Sequence, residues 1–282
     1  MTTRLRAAAA ILRGAMTAIR DPRKLARLTW TSPDERESDY EAEARRLIGG
    51  APRSVPIERV MPLDSAQLDV FSFLDDTSTV LDLMLLRGLL ARYERPRYLE
   101  IGTFRGESAL AAASEGAEVV TISLPDEELR ARGAHESWIE AHRTFSQGHP
   151  SIRHLHADSQ SVDLGPFQNW ADVLFIDGDH ARLAVEHDTR RFWPVRARNS
   201  GVVVWHDAFW SPLRPRWEVI AGIAAGVPLE FRAGLVHVSN TLCVAWLPDA
   251  ASLPAVEWSY TPRVAFSVSV RLLTDAIKAT TP

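Results

Sequence analysis

Residues 98–110 read YLEIGTFRGESAL. An apolar run leads through glycines at 102 and 106 into small, helix-compatible residues, which predicts a strand, a tight turn and a helix. The same alternation continues outward from this stretch. Further strands are predicted at 117–123, 152–157, 171–177 and 201–207, with helical stretches at 106–115, 126–145 and 181–193 between them. Each helical stretch is long enough for a right-handed crossover, so the first five strands form a parallel sheet. After a helix around 214–225, the runs LVHVSN (235–240) and TLCVAWL (241–247) almost touch in sequence. They have room only for an antiparallel hairpin. The expectation is an α/β chain whose doubly wound sheet has seven strands and ends in a hairpin.

The flanks look different. Residues 4–28 predict an amphipathic helix, with Leu5, Ala8, Leu12, Met16 and Ile19 on one stripe and Arg6, Arg13, Arg20, Lys24 and Arg27 beside it. Such a helix fits its own domain, a second subunit or an anionic membrane surface. Residues 31–75 suggest short helices and loops, and TSTVLDLMLLRGLLARY (77–93) a helix buried around most of its circumference. In the tail, VAFSVSVRLLTDAIK (264–278) begins with a strand-like alternation and ends as helix. The domain reading is therefore a helical extension over 1–75, a catalytic-type domain over 76–250 and a tail over 251–282.

Composition excludes some classes. With 282 residues, 46% of them hydrophobic and 24% charged, the chain can bury a large core. A net charge of −4 provides no general field for nucleic acid, so none is expected as a partner. A single cysteine, Cys243, fits a small buried residue and a reducing cytoplasm. Arg13 interrupts the first apolar run, so no signal peptide is expected. No uncharged apolar stretch of about 18 residues occurs to span a bilayer.

Sheets of this kind bind ligands beyond the carboxyl ends of their strands. The glycine turn after Glu100 leaves room for a close backbone approach, and its G-x-x-x-G spacing differs from the G-x-G-x-x-G of dinucleotide enzymes. YLEIGTFRGESAL, followed by VLFIDGDH (173–180) and VVVWHDAF (202–209), resembles the S-adenosylmethionine-dependent methyltransferases related to small-molecule O-methyltransferases, a group that includes metal-assisted catechol-type and macrolide-sugar enzymes. The resemblance covers roughly 80–247 and implies a Rossmann-like sheet with S-adenosylmethionine as cofactor. It implies that Glu100, Gly102, Thr103, Gly106 and Ser108 hold the methionine part, and that Asp158 and Ser159 meet the adenine. Asp177 closes the same site. Where the family usually has an acid for the ribose hydroxyls, this chain has Ser123, so either Ser123 makes a weaker bond or Asp126 reaches back.

Asp177 and Asp207 end neighbouring strands, with His206, Asp179 and His180 close by. The matching acidic positions hold Mg²⁺ in the metal-assisted relatives, which makes Asp177, His206 and Asp207 the expected metal set. A divalent cation lowers the pKa of a hydroxyl and fixes its oxygen. His206 favours a softer ion such as Mn²⁺ or Zn²⁺, or else serves as a metal-free general base. His180 is either catalytic or a cap on the following helix. His154 and His156 fit ordinary packing. Trp205, Phe209, Trp210 and Trp217 form either an aromatic substrate wall or core. The reaction expected is methyl transfer to a hydroxyl of a small molecule, a sugar or specialised metabolite, in a homo-oligomer. The alternatives are a cofactor-binding scaffold without turnover and a related enzyme of different chemistry.

Overall fold

The computed structural model describes residues 33–61 and 65–273. The amphipathic helix expected at 4–28 lies outside the described residues. By compactness the chain divides into residues 1–39 and 40–282, and the sheet lies in the second unit. Helix α1 spans Pro33–Ile48.

The sheet has eight strands. They are β1 (Arg53–Val55), β2 (Arg97–Ile101), β3 (Glu118–Ser123), β4 (Ile152–His156), β5 (Val173–Ile176), β6 (Val202–Trp205), β9 (Leu235–Val238) and β10 (Val244–Trp246), with a separate ribbon of β7 (Phe209–Ser211) and β8 (Arg214–Pro215). Their spatial order is β1-β9-β10-β6-β5-β2-β3-β4. The strands from β2 to β6 are mutually parallel, and β10 runs antiparallel to both β6 and β9. The seven expected strands and the hairpin are all present. The eighth, β1, pairs parallel with β9 along the hairpin's outer edge. The sequence reading missed it because RSV is only three residues long in a loop-like setting.

Period-two alternation builds a core on each face. Leu99 and Ile101, Leu174 and Ile176, and Val203 and Trp205 pack with Phe192 and Ile220 on one face. Tyr98, Val173, Phe175, Val202 and Val204 pack on the other with Leu83, Leu86, Ala109 and Ala112. The first face is covered by α7 (Arg182–Phe192) and α8 (Trp217–Gly226), the second by α3 (Val80–Leu90) and α4 (Glu107–Ser114). A four-residue helix, α2 (Ile57–Val60), precedes α3.

Some elements depart from expectation. The helix expected over 126–145 is two short ones, α5 (Asp126–Ala131) and α6 (Glu136–Glu140). Gly133 turns left-handed at φ +88° between them, and the His135 side chain accepts the Ser137 N–H to start the second. The alternating tail over 264–273 forms no strand: Val268, Val270 and Leu272 are exposed, although Val256 bridges to Ser54 of β1. Among the described residues, no helix is long and apolar enough to cross a membrane.

Candidate active site

A cleft of about 770 Å³ opens at the carboxyl ends of β2, β3, β4, β5 and β6. The turn after β2 forms its floor. Gly102 has φ +87°, and a Cβ there would lie 2.0 Å from the Asp177 carbonyl oxygen, so only glycine lets this turn lie against the end of β5. Gly106, at φ +83°, opens α4 with no side-chain cap, and a Cβ there would meet Ser146 Oγ at 2.1 Å.

Of the residues matched to the cofactor, Gly102, Thr103, Ser123, Asp158, Ser159 and Asp177 line the cleft, whereas Glu100, Gly106 and Ser108 stand behind its wall. Glu100 is fully buried; it accepts hydrogen bonds from Tyr98 Oη at 2.9 Å and Ser108 Oγ at 2.7 Å, and its Oε1 has no partner. Burial, partly offset by those two donors, raises its pKa to about 8. Thr103 Oγ1 and Ser123 Oγ are also buried without partners. Asp126, the alternative to Ser123, is held by Arg143 at 2.9 and 3.0 Å and does not reach the cleft wall. Asp158 accepts Arg132 Nη2 at 2.8 Å and the Gln160 N–H at 2.8 Å. Ser159 donates to Asp188 at 2.9 Å. These open polar atoms beside a glycine turn fit a ligand that is itself rich in donors and acceptors, as S-adenosylmethionine is.

The other end of the cleft is charged. Donor atoms of Asp177, His206 and Asp207 all lie within 4.8 Å of one another. His206 Nδ1 is 3.3 Å from Asp177 and 3.4 Å from Asp207, while His180 Nε2 is 3.1 Å from Asp207 and 3.5 Å from Asp177. Both nitrogens are shielded, yet neither lies in line for a hydrogen bond. The donor atoms of Asp177, His206 and Asp207 suit a shared cation, the carboxylates matching Mg²⁺ or Mn²⁺ and the imidazole favouring a softer ion such as Mn²⁺ or Zn²⁺. Asp207 takes φ +51°, a left-handed conformation costing a non-glycine residue about 1–3 kcal/mol, which turns its carboxylate into the group. Burial opposes ionisation of Asp177, but His206 and His180 outweigh it and hold its pKa far below the usual carboxylate range. Burial likewise opposes protonation of His206; Asp177, Asp207 and Asp82 outweigh it and push its pKa well up.

Sequence reasoning missed Asp82. It forms a capping box with Thr79 at the start of α3, is fully buried, and meets His206 Nε2 at 3.1 Å. The sequence signal was an acid three residues after Thr79 at the start of a largely apolar helix, a capping-box pattern that says nothing of His206. Of the four aromatics named for a wall, Trp205, Phe209 and Trp217 belong to the core, and Trp210 alone lines the cleft, with Arg216 stacked on its ring at 4.3 Å. His180 does not cap α7, whose N-cap is Ala181. His154 packs as expected, against Thr121 Oγ1 at 2.8 Å.

Residues 99–208 match the family model described as a methyltransferase domain. An uncharacterised protein of Acanthamoeba polyphaga mimivirus is 26% identical over 169 residues, which cover 56% of this chain and 76% of that protein. Among solved structures, a Staphylococcus aureus protein assigned as a caffeoyl-CoA O-methyltransferase is 18% identical, with a TM-score of 0.42 over 61% of this chain and 85% of its own. A Podospora anserina methyltransferase with S-adenosylhomocysteine bound is 14% identical, with a TM-score of 0.38 over 82% of this chain and 94% of its own.

Proposed function

With residues 99–208 forming a methyltransferase domain of the S-adenosylmethionine-dependent class I fold, we propose that the chain methylates a hydroxyl of a small molecule with the help of a divalent cation. The observation that carries this reading is the convergence of Asp177, His180, His206 and Asp207 at the end of the cleft, next to the glycine turn. In the transfer, the acceptor oxygen forms a bond to the methyl carbon as the carbon–sulfur bond breaks, and the sulfonium becomes a neutral thioether. The hydroxyl proton must leave. His180, partly exposed on the cleft wall, is the group to receive it. His206 is a poor choice, because three carboxylates already favour its protonated form. Asp177, His206 and Asp207 would hold Mg²⁺ or Mn²⁺, which when bound acidifies the hydroxyl and orients it toward the methyl group.

The acceptor in this reading is a sugar or other specialised metabolite. The cleft has the size of a small-molecule site, and Asp76, Asp158, Asp177, Asp179 and Asp207 on its wall would repel a nucleic-acid backbone. A homo-oligomer in the cytoplasm, with the basic segment at 4–28 meeting a second subunit or a membrane surface, is the accompanying proposal. Calorimetry with S-adenosylhomocysteine, followed by labelled methyl transfer to a panel of catechols and sugars with Mg²⁺ or with EDTA, tests it. Cofactor binding with turnover that EDTA removes is the expected result. Binding without turnover on any acceptor favours the scaffold alternative, and turnover that survives EDTA removes the metal.

A further inference from the structure

We propose that Asp82 is a positioning residue that fixes the His206 ring with Nδ1 turned into the strand-end cluster, ready to bind a divalent cation; this rests on the metal reading above. Every atom that faces the Asp82 carboxylate is a donor. Oδ2 accepts the Thr79 N–H at 2.7 Å and His206 Nε2–H at 3.1 Å, and Oδ1 accepts the Leu242 N–H at 2.8 Å with Cys243 Sγ at 3.5 Å. A carboxylate that only accepts requires the proton of a neutral His206 to sit on Nε2. The lone pair then lies on Nδ1, the nitrogen 3.3 and 3.4 Å from Asp177 and Asp207. Without a cation the neighbouring carboxylates keep a proton on Nδ1; a cation between Asp177 and Asp207 displaces that proton, and the lone pair it uncovers already faces the ion. Asp82 thus holds the ring in the one tautomer that makes it a ligand, as outer carboxylates do for metal-bound histidines generally.

Its place in the fold supports the assignment. The carboxylate and the Thr79 N–H come from the start of α3, the ring from the end of β6, and the Leu242 and Cys243 donors from the turn between β9 and β10; Asp82, His206 and Cys243 are buried and Thr79 and Leu242 partly so. A capping box alone accounts for the Thr79 bonds and for none of the others.

The test uses the full chain labelled with ¹⁵N-histidine, with His206 assigned by its absence in His206→Asn, and Cd²⁺ as the metal probe. Without metal both ring nitrogens of His206 should be protonated, and Cd²⁺ should take Nδ1 and leave Nε2 protonated. Asp82→Asn should weaken Cd²⁺ binding about 10–100-fold and let the ion take either nitrogen. Thr79→Ala removes a cap from the same helix without touching His206; it should lower the melting temperature and leave Cd²⁺ affinity within about twofold. The proposal is overturned by Cd²⁺ on Nε2, by wild-type affinity in Asp82→Asn, or by an equal loss in Thr79→Ala. Should Asp82→Asn fail to fold, the nitrogen that Cd²⁺ takes in the wild type decides. A wild-type chain that takes up no Cd²⁺ but binds S-adenosylhomocysteine overturns the metal reading, and raising the pH until His206 loses one proton then shows whether the remaining one stays on Nε2 beside Asp82.

Discussion

The two ends of the cleft are built in opposite ways. Toward β2 and β3 the wall is backbone and neutral groups: the Gly102 turn, Thr103 and Ser123, all contributed by short stretches that follow their own strands. Toward β5 and β6 it is charge, gathered from Asp177, His180, His206 and Asp207 with Asp82 buried behind His206, a set that spans 125 positions from first to last. The first end depends on the space a residue leaves, so a change there should act on binding and folding. The second depends on charges balancing across elements, so a change there should act on turnover.

The largest expected effect is at the charged end. Asp177→Asn or Asp207→Asn should reduce methyl transfer by at least about 100-fold, because each removes a charged group with little change of volume. S-adenosylhomocysteine affinity measured by calorimetry should stay within about threefold. Equal loss of binding and turnover would erase the contrast between the two ends.

Gly102→Val tests the other end. A side chain cannot fit where a Cβ comes within 2.0 Å of the Asp177 carbonyl, and left-handed backbone strain adds to the clash. Cofactor binding should disappear and folding stability should fall by about 3 kcal/mol in urea titration. Cofactor affinity that persists would mean the glycine turn is not the floor of the site.

A pH effect distinguishes structural from functional imidazoles. His237 is buried between Ser54 Oγ, 3.1 Å away, and the Thr241 carbonyl, 3.3 Å away, and burial lowers its pKa from 6.5 to about 4. Folded His237 stays neutral while the unfolded ring takes a proton, so stability should fall as pH drops from 6.5 through 4, by up to about 3 kcal/mol. Denaturation of wild type and His237→Gln at pH 7, 5 and 4 isolates this share, and parallel slopes would disprove it.

The smallest effect returns to the neutral end. Ser123→Asp places a carboxylate where a lone hydroxyl now stands unpartnered, and should tighten S-adenosylhomocysteine about fivefold, the gain of a charge-assisted bond over a neutral one. Weaker binding would show that the ribose does not lie there.

Much of this could be read in the chain. Strand and crossover spacing predicted the seven main-sheet strands β2–β6, β9 and β10 but not the β7–β8 ribbon, because burial on both faces leaves continuous apolar runs such as VLFI and VVVW. The short β1 left no such pattern, and the tail's alternation over 264–273 stays exposed and pairs with no strand. Asp177, His206 and Asp207 were legible as polar residues closing apolar strands. Asp82 was not, since its meaning depends on a partner 124 positions away.

Local chemistry therefore determined the strands, the glycine turn and the candidate ligands, since each depends on a few neighbouring residues. Only the tertiary structure decided that Trp205, Phe209 and Trp217 are core while Trp210 faces the cleft, that Asp126 is taken by Arg143, and that Asp82 stands behind His206. Packing settles such questions because a side chain's role is set by which distant elements close around it, and no local pattern records that.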